Sequence, residues 1–526
     1  MGILTPENLR EAGNFALLAL SFLKSNFLYI LTALLLTRAI YRRYFHPLSA
    51  FPGPFWGSIT HWYSVYLFFA GGYKMHLHEL ELHKRYGPVV RLKPDMLLIA
   101  SASYLDTVFH LKCDKAAFID IEIAGFGDAV ITARSHASHV RLRKRIASAY
   151  SMTNIRRMET SVDAIVVSLL HQLNTRFAAQ KKACDFALWA QYFAYDVVTD
   201  VAFGRAVGFV EAGKDVAGLV GNFHRNLPVG NILVRVRWLA QLLAMVPGLR
   251  WAMPKSGDEV GVGVMMTYRD GLIRERIREG NPEKKPDLLH HFLNAKNDDG
   301  TPMTFREIGD ECYLIMVAGS DTTSAVLRLL TRNLYSNPAI MAKLYAELSS
   351  ARLSRPVPTF DQLVKLPYLQ AVLSEALRLG SLGMYIPRAV SEPGFECHGK
   401  FVPGGMAVAM NPWVLSQSKE IYGEDASEFN PERWLRGEEE KARLAKYEFA
   451  FGRGGRSCLG RNIALMELNK VVAGLVLGFE GRLMREGEEG VEYPGELRNL
   501  SIWAEKGMWV EFKLREGVEE GWAKVE

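Results

Sequence analysis

The pattern of apolar and polar residues along the chain predicts two long helices and several short strands. Thr304 and Glu307 form a capping-box signature, and the helical pattern that they open runs to about residue 336. A second apolar pattern of helical period begins after Gly460. Short apolar runs of the length of β-strands lie at 89–92, 97–100 and 508–512.

The N-terminal segment is almost wholly apolar from Phe15 to Thr37, where Lys24 and Asn26 interrupt it. This stretch reaches the roughly 20 residues that a helix needs to cross a bilayer. We therefore expect one membrane-spanning helix at about 15–37, within an anchor formed by residues 1–44.

Basic residues close this apolar run and predict its orientation. Arg38, Arg42 and Arg43 follow it, so the positive-inside rule places the rest of the chain on the cytoplasmic side. Two other interpretations remain open: a cleaved signal peptide, or an apolar core helix that Lys24 divides. A signal peptide begins with basic residues and ends at a cleavage site of small residues, whereas arginines end this run. The anchor is therefore favoured.

Composition narrows the class of protein. The chain has 526 residues, of which 49% are hydrophobic and 23% charged, as in packed globular proteins. No linker or internal repeat divides it, which favours one large domain. The formal charge of +6 is small and is not gathered into a basic stripe, so no nucleic-acid partner is expected. The five cysteines form no C-x-x-C pair, which argues against a zinc site or a disulfide framework.

The clearest chemical signal is a glycine-rich loop around Cys458. Residues 451–461 read Phe-Gly-Arg-Gly-Gly-Arg-Ser-Cys-Leu-Gly-Arg and run directly into the second helical pattern. A sulfur that ligates a haem iron must stay deprotonated, and backbone N–H groups of such a turn and of a helix N-terminus stabilise that charge. Arg456 offers a fork of donors suited to a haem propionate. Taken alone, Cys458 is equally explained as an inert buried thiol.

The long helical pattern after Thr304 carries a second unit in its middle, Ala-Gly-Ser-Asp-Thr-Thr at 318–323. Its small residues would let a flat cofactor lie close to the helix. The Thr322 hydroxyl can bond to a carbonyl one turn earlier, which would open a notch for dioxygen and water. Asp321 is placed to pass protons inward. Without the cysteine loop, this Asp-Thr pair would be taken for ordinary surface.

Together these segments resemble the cytochrome P450 family. The loop has the residues of the family's haem-binding loop at the same spacing: Phe451, Gly454, Arg456, Cys458 and Gly460. By this resemblance Cys458 is the axial ligand of a haem b iron, and Asp321 and Thr322 deliver protons that split the oxygen–oxygen bond. The implied fold is mainly α with a small β region, and the implied catalytic domain covers 45–526.

Further residues match the family outside these two segments. Glu375 and Arg378, together with Arg433, resemble a buried network that holds the haem loop. His139 and Arg143 resemble the helix that meets the haem propionates, although many relatives carry tryptophan at the position of His139. Arg388 is a further propionate candidate by the same resemblance.

The resemblance implies a monooxygenase that oxidises a small hydrophobic metabolite, as in fungal, microsomal-type secondary metabolism. The chain has no flavin or nicotinamide fingerprint, so electrons would come from NADPH through a membrane-bound flavoprotein reductase. Basic residues near the cysteine loop could offer that reductase a docking face: Arg453, Arg461 and Lys470. The implied location is the endoplasmic reticulum membrane, with a single membrane pass and a cytosolic catalytic domain.

The resemblance also indicates where the substrate would lie, in segments that are mostly apolar: 119–131, 223–236, 314–317, 381–386 and 500–502. Two other functions remain open. A haem-thiolate isomerase or dehydratase would need no dioxygen, although such enzymes typically lose the pair at Asp321 and Thr322. A non-catalytic haem sensor would keep Cys458 and need no proton delivery.

Overall fold

The structure is a computed structural model that describes residues 6–117, 127, 129–246, 248, 254–281, 286–381 and 383–518. The side chains at 6–13, 16–20, 23 and 244 lie outside this description.

Helices account for most of the described chain. The first half contains α1 (Pro6–Ile40), α2 (Phe55–Ile59), α3 (Trp62–Tyr73), α4 (Met75–Tyr86), α5 (Leu105–Val108), α6 (His136–Ile146), α7 (Met152–Arg156), α8 (Glu159–Leu173), α9 (Phe186–Phe203), α10 (Phe209–Ala212), α11 (Leu219–Arg235) and α12 (Arg237–Met245). The second half contains α13 (Val262–Arg278), α14 (Leu288–Asn294), α15 (Phe305–Ser336), α16 (Pro338–Ser350), α17 (Phe360–Leu363), α18 (Pro367–Leu379), α19 (Pro412–Ser416), α20 (Lys419–Tyr422), α21 (Glu438–Ala445) and α22 (Arg461–Gly478).

The predicted capping box at the start of α15 is confirmed. The Glu307 N–H donates to the Thr304 hydroxyl at 3.3 Å, and the Thr304 N–H donates to the Glu307 carboxylate at 2.8 Å. These bonds satisfy two backbone donors that a helix start would otherwise leave unpaired. Helix α22, which begins three residues after Cys458, confirms the second predicted helix.

The strands form small sheets beside the helices. The predicted strands are confirmed as β1 (Val89–Lys93), β2 (Met96–Ile99) and β12 (Trp509–Leu514). The others are β3 (Asp114–Lys115), β4 (Ala183–Asp185), β5 (Arg388–Ala389), β6 (Gly394–Cys397), β7 (Lys400–Pro403), β8 (Ala407–Ala409), β9 (Phe479–Leu483), β10 (Glu496–Asn499) and β11 (Trp503–Lys506). The largest sheet has the order β1-β2-β8-β5-β3, and smaller sheets pair β4-β12-β9, β10-β11 and β6-β7.

Long-range pairing in the largest sheet brings distant basic residues together. Strands β2 and β8 run parallel, whereas β5 pairs antiparallel with both β8 and β3. In the β3–β5 pair, Lys115 lies opposite Arg388. Two basic residues separated by more than 270 positions in the sequence therefore become direct neighbours.

The main hydrophobic core surrounds α15. Its buried residues come chiefly from α8, α9, α15, α18 and α22. Helix α9 is apolar around its whole circumference and buried along almost its whole length, which is typical of a helix enclosed by others. Helix α15 packs against α9 on one side and α22 on another, so the core fixes the helix that carries Asp321 and Thr322.

The predicted membrane-spanning helix at about 15–37 is not supported. Helix α1 covers this segment, but within the part of the chain that the structure describes, no helix is both long enough and apolar enough to span a bilayer. Lys24 and Asn26 divide the apolar run into 15–23 and 27–37, which contain no charged or amide side chain. Each part is shorter than the roughly 20 residues that a span requires.

Candidate active site around Cys458

The cysteine loop is closed by its own backbone. The Cys458 N–H donates to the carbonyl oxygen of Phe451 at 2.8 Å. Gly452 and Gly454 have φ of +67° and +68°, a region that favours glycine. A Cβ at position 454 would also overlap the carbonyl oxygen of Phe109. The glycine at 454 is therefore required both by its dihedral angle and by the close approach of another segment.

Opposing effects act on the Cys458 sulfur. Its side chain is accessible from one side, yet the surrounding protein shields it enough that burial raises its pKa. The N–H groups of Gly460 and Arg461 at the start of α22, and the charge of Arg143, lower the pKa and offset part of that rise. A cation bound at the sulfur would supply the stabilisation that the thiolate still needs.

Two arginines brace the loop through backbone carbonyls. Arg456 donates to the carbonyls of Cys113 at 3.0 Å and of Ala133 and Arg134 at 2.7 Å. Arg143 of α6 donates to the carbonyl of Ser457 at 2.7 Å. Arg456 therefore makes three hydrogen bonds to backbone carbonyls, and it also brings positive charge to this face of the loop.

A cluster of basic side chains gathers beside the loop, consisting of Lys115, His139, Arg143, Arg388 and Arg456. Burial, followed by repulsion from Arg456 and Arg388, lowers the pKa of Lys115 to about 7. Burial, followed by Arg456 and Lys115, lowers the pKa of His139 to about 3. The buried Nε of Arg388 has no partner among the described residues. These groups repel one another, which is the arrangement expected of a site for an anion.

One face of α15 is accessible in the middle of an otherwise buried helix. Leu314, Ala318 and Thr322 follow one another at four-residue intervals and therefore share this face. Ala318 is exposed, and the other two are half-buried. Thr323, on the adjoining face, donates to the carboxyl of Glu467 in α22 at 2.7 Å, so this part of α15 lies against the helix that follows Cys458.

The predicted notch at Thr322 has its hydrogen bond. The Thr322 hydroxyl donates to the carbonyl of Ala318 at 2.7 Å, which leaves the lone pairs of the hydroxyl oxygen free to accept a hydrogen bond. The small residue Gly319 has a different role from the one expected, because a Cβ there would overlap Val198 of α9. Gly319 therefore allows α9 and α15 to pack closely, and Ala318 is the small residue on the accessible face.

The Asp321 side chain lies inside the protein, where it contacts α9 and α11. It is fully buried, and its Oδ1 accepts a bond from Gln191 of α9 at 2.6 Å and lies 2.9 Å from His224 Nε2 of α11. Its Oδ2 has no hydrogen-bond partner among the described residues. One oxygen is therefore held by neighbouring helices while the other remains available.

The buried network predicted around Glu375 is present. Arg378 donates to both oxygens of Glu375, at 2.8 and 2.7 Å, and Arg433 donates to Oε1 at 3.0 Å. Trp434, which the sequence did not single out, donates to Oε2 at 3.0 Å. Arg378 also binds carbonyls at Ser416, Ala426 and Glu428, so the network fixes the segment that leads toward the cysteine loop.

The comparison with known proteins agrees with this geometry. Residues 56–507 match the family model described as Cytochrome P450. The chain belongs to the cytochrome P450 family. It is 33% identical to Quiannulatic acid synthase of Emericella variicolor over 470 residues, which cover 84% of this chain and 90% of that protein. It is 31% identical to Cytochrome P450 monooxygenase pkfB of Emericella nidulans, over 92% of this chain and 94% of the relative.

A further relative is Cytochrome P450 monooxygenase gsfF of Penicillium aethiopicum, with 30% identity over 85% of this chain and 90% of that protein. Relatives of this kind are monooxygenases, and this P450 is accordingly an oxidoreductase of that class. A P450 contains haem iron and receives electrons from a redox partner.

The residues present fit a haem. Cys458 offers an accessible sulfur at a helix N-terminus, and Ala318 leaves room for a flat group on the α15 side. The buried, unpartnered Nε of Arg388 and the repulsion around Lys115 fit the two propionate carboxylates of a porphyrin. The individual assignments of His139, Arg143, Arg388 and Arg456 to propionates remain predictions.

One suggested docking residue is wrong. Lys470 is completely buried, and its ammonium lies 2.6 Å from both Glu159 and Asp163 of α8. It therefore joins α22 to α8 and cannot face a partner protein. Arg453 pairs with Asp106 at 2.8 Å, and Arg461 is exposed.

Four residues of the site were missed by sequence reasoning: Lys115, Gln191, His224 and Glu467. Lys115 is brought beside Arg388 by the β3–β5 pairing, and no local sequence pattern predicts that pairing. Gln191 and His224 lie in separate helices that converge on Asp321. Glu467 has the clearest local signal, because it is a carboxylate at a buried position of an apolar helix.

Proposed function

We propose that this P450 is a haem-thiolate monooxygenase of secondary-metabolite biosynthesis, which inserts one oxygen atom of O2 into a small hydrophobic metabolite. The observation that carries the proposal is the Thr323–Glu467 bond, which joins α15, the helix that contains Thr322, to α22, the helix that begins three residues after Cys458. When bound, a haem ligated by thiolate supplies O–O bond cleavage and the oxidising power for oxygen insertion.

The protein's own groups have separate tasks in this proposal. Cys458 binds the iron, and the N–H groups of Gly460 and Arg461 stabilise the negative sulfur. The basic cluster would hold the propionates of the haem b. The Thr322 hydroxyl oxygen accepts a hydrogen bond from water, and Asp321 supplies the proton that the reaction consumes. Leu314 and Ala318 present apolar surface on the accessible face of α15, which favours a hydrophobic substrate.

Electrons are proposed to come from NADPH through a flavoprotein reductase. Arg461, exposed at the start of α22, lies directly behind the Cys458 loop and would attract an acidic partner surface. Replacing Arg461 with Glu should raise the reductase concentration needed for half-maximal NADPH oxidation, and the effect should weaken at high salt. An unchanged requirement would count against this docking face.

We further propose that α1 holds the protein at the endoplasmic reticulum membrane, with the catalytic domain in the cytosol. Large apolar side chains of α1 are exposed, including Phe27, Leu28 and Leu34, and Arg38 follows them. The exposed Trp62 of α3 and Trp238 of α12 contact each other edge to face, with ring centroids 6.5 Å apart, and add amphipathic surface suited to a lipid interface.

Fractionation tests this localisation. The full chain should sediment with microsomes, whereas a chain that starts at residue 45 should remain in the supernatant. A full chain that remains in the supernatant would exclude α1 as the membrane contact.

The carbon monoxide difference spectrum of the reduced protein tests the central proposal. A far-red-shifted Soret band in the wild type, absent from Cys458→Ser, is expected of thiolate-ligated haem. Cys113→Ser is the matched control, because Cys113 is a free cysteine close to the same loop. A shifted band that persists in Cys458→Ser would assign the ligand to another residue, and a wild type without haem would overturn the proposed function.

A further inference from the structure

His224 links water to the buried carboxyl of Asp321. Its Nε2 lies 2.9 Å from Asp321 Oδ1, and the Gln191 amide nitrogen lies 2.6 Å from the same oxygen and 3.2 Å from His224 Nε2. The Asp321 side chain is 0% exposed, whereas 20% of the His224 side chain is accessible. His224 is therefore the hydrogen-bonded neighbour of Asp321 through which a proton can enter from water.

We propose that His224 is a positioning residue that carries protons from water to Asp321. The inference rests on the proposed function, in which Asp321 must be protonated again after each delivery. Imidazole gains and loses protons near neutral pH, and its two nitrogens allow a proton to enter at one and leave at the other. Gln191 orients the pair, because its amide donates to the carboxylate but cannot exchange protons in this pH range.

The proton balance of the relay is simple. Water protonates Nδ1 of an imidazole that already carries a proton on Nε2, which gives an imidazolium. The N–H bond at Nε2 then breaks and an O–H bond forms at Asp321 Oδ1, leaving a neutral imidazole and a neutral carboxyl. The carboxyl releases its proton toward Thr322, and the ring regains its first tautomer by exchange with water. One proton moves inward per cycle and no electron is transferred.

Other titratable groups near this pair are less suited to the relay. Tyr195 of α9 is buried, and burial together with the charge of Asp321 raises its pKa well above the ordinary value. Arg328, two turns further along α15, is buried and donates to the carbonyl of Trp503 in β11 at 2.7 Å. Both stay in one protonation state near neutral pH, so they set the local potential but carry no proton.

The test compares His224→Gln and His224→Phe with the wild type, each loaded with haem and reconstituted with reductase. Gln preserves a hydrogen bond to Asp321 without proton transfer, and Phe removes both. The measurement is the ratio of NADPH oxidised to O2 consumed, which needs no identified substrate. Reduction of O2 to water uses two NADPH and needs proton delivery, whereas release of hydrogen peroxide uses one.

Both variants should release more peroxide per NADPH, by a factor of about three to ten, which is below the 10²–10⁴ typical of losing a general acid itself. Because Gln cannot transfer a proton, the peroxide released per NADPH should be as high in His224→Gln as in His224→Phe. Arg225→Gln, which removes an exposed basic residue from the neighbouring position of α11, should behave as the wild type.

Infrared difference spectra of the haem-loaded protein give a readout independent of turnover. The carbonyl stretch of a protonated Asp321, assigned by its loss in Asp321→Asn, should appear over a different pH range in His224→Gln. If the thiolate spectrum is normal while both the peroxide ratio and this band are unchanged in the His224 variants, the relay is wrong. If the wild type itself lacks the thiolate spectrum, the proposed function fails and the relay fails with it.

Discussion

Thr323 of α15 donates a buried 2.7 Å hydrogen bond to Oε1 of Glu467 in α22. The bond joins the helix that contains Asp321 and Thr322 to the helix that begins three residues after Cys458. Oε2 of Glu467 has no partner among the described residues, and burial raises the pKa of this carboxyl to about 8, against a smaller opposing effect of the Thr323 bond. Glu467 is therefore a neutral carboxyl at pH 7 that couples the two sides of the site.

The raised pKa of Glu467 predicts a loss of stability as pH increases. The unfolded chain ionises this carboxyl near its ordinary pKa of 4.5, whereas the folded chain keeps the proton up to about pH 8. The folded state therefore binds the proton more tightly, and stability falls as pH rises from about 4.5 to 8. Glu467→Gln keeps an acceptor for Thr323 without the charge, so its free energy of unfolding should vary less over this window.

Denaturant unfolding at pH 5 and pH 8 measures the effect. The wild type should lose on the order of a few kcal/mol more than Glu467→Gln between these two values. Glu489→Gln, which removes an exposed carboxylate, should follow the wild type. Equal pH dependence in wild type and Glu467→Gln would show that Glu467 is not held neutral.

The sequence predicted those parts of the site that lie close together along the chain. The cysteine loop, the cap of α15 and the back-bond of Thr322 each follow from local spacing, and the structure has all three. The buried pair of Glu375 and Arg378 was implied only by the family resemblance, and it is also present. Local spacing also led to the expectation of a membrane span, which the described residues do not support. The length of an apolar segment does not by itself show whether polar residues inside it, such as Lys24 and Asn26, prevent it from spanning a bilayer.

Tertiary packing decides what the sequence did not predict. Gly319 faces Val198 of α9, and this close helix contact depends on a residue more than a hundred positions away. Lys470 follows the Cys458 loop on an amphipathic-looking helix, yet α8 supplies two carboxylates that bury it. A basic residue near a site is thus ambiguous until the partner helix is known.

The network around Glu375 should be the most sensitive structural element of the site. Glu375→Ala leaves the buried guanidinium groups of Arg378 and Arg433 without their carboxylate, and breaking a buried pair in this way costs about 3–5 kcal/mol. We expect a lower melting temperature and incomplete haem incorporation, measured by thermal unfolding and by the ratio of Soret to protein absorbance.

Glu440→Ala is the matched control for this prediction. Glu440 also accepts hydrogen bonds from two nitrogens of an arginine three residues later, Arg443, at 2.7 Å, but these side chains are 29% and 42% exposed. An exposed pair of this kind contributes less than about 1 kcal/mol. If the two variants lose similar amounts of stability, the loss comes from a change in helix propensity and not from the burial of the network.

We expect Lys115 to contribute more to haem binding than to the stability of the fold. Burial and the charges of Arg456 and Arg388 lower its pKa to about 7, and a propionate beside it would restore its charge. Lys115→Met should therefore release haem to a scavenging globin faster than the wild type, by roughly ten- to a hundredfold for one lost charge-assisted bond. Lys112→Met, an exposed lysine three residues earlier, should leave the rate unchanged. An unaltered rate in Lys115→Met would remove Lys115 from the propionate site.

Thr322→Ala should separate electron consumption from oxygen insertion. The substitution removes the hydroxyl on the accessible face of α15 while Cys458, the basic cluster and the Ala318 carbonyl stay in place. The thiolate spectrum should therefore be normal, and most reducing equivalents should appear as hydrogen peroxide, because proton delivery typically contributes about 10²–10⁴-fold. Thr175→Ala is the control, since the Thr175 hydroxyl makes the same kind of bond, to the His171 carbonyl at 2.9 Å, away from the site. If Thr322→Ala releases no more peroxide than the wild type, Thr322 does not deliver the proton. The hydrogen-bonded pair of Asp321 and His224 would then be the next group to test.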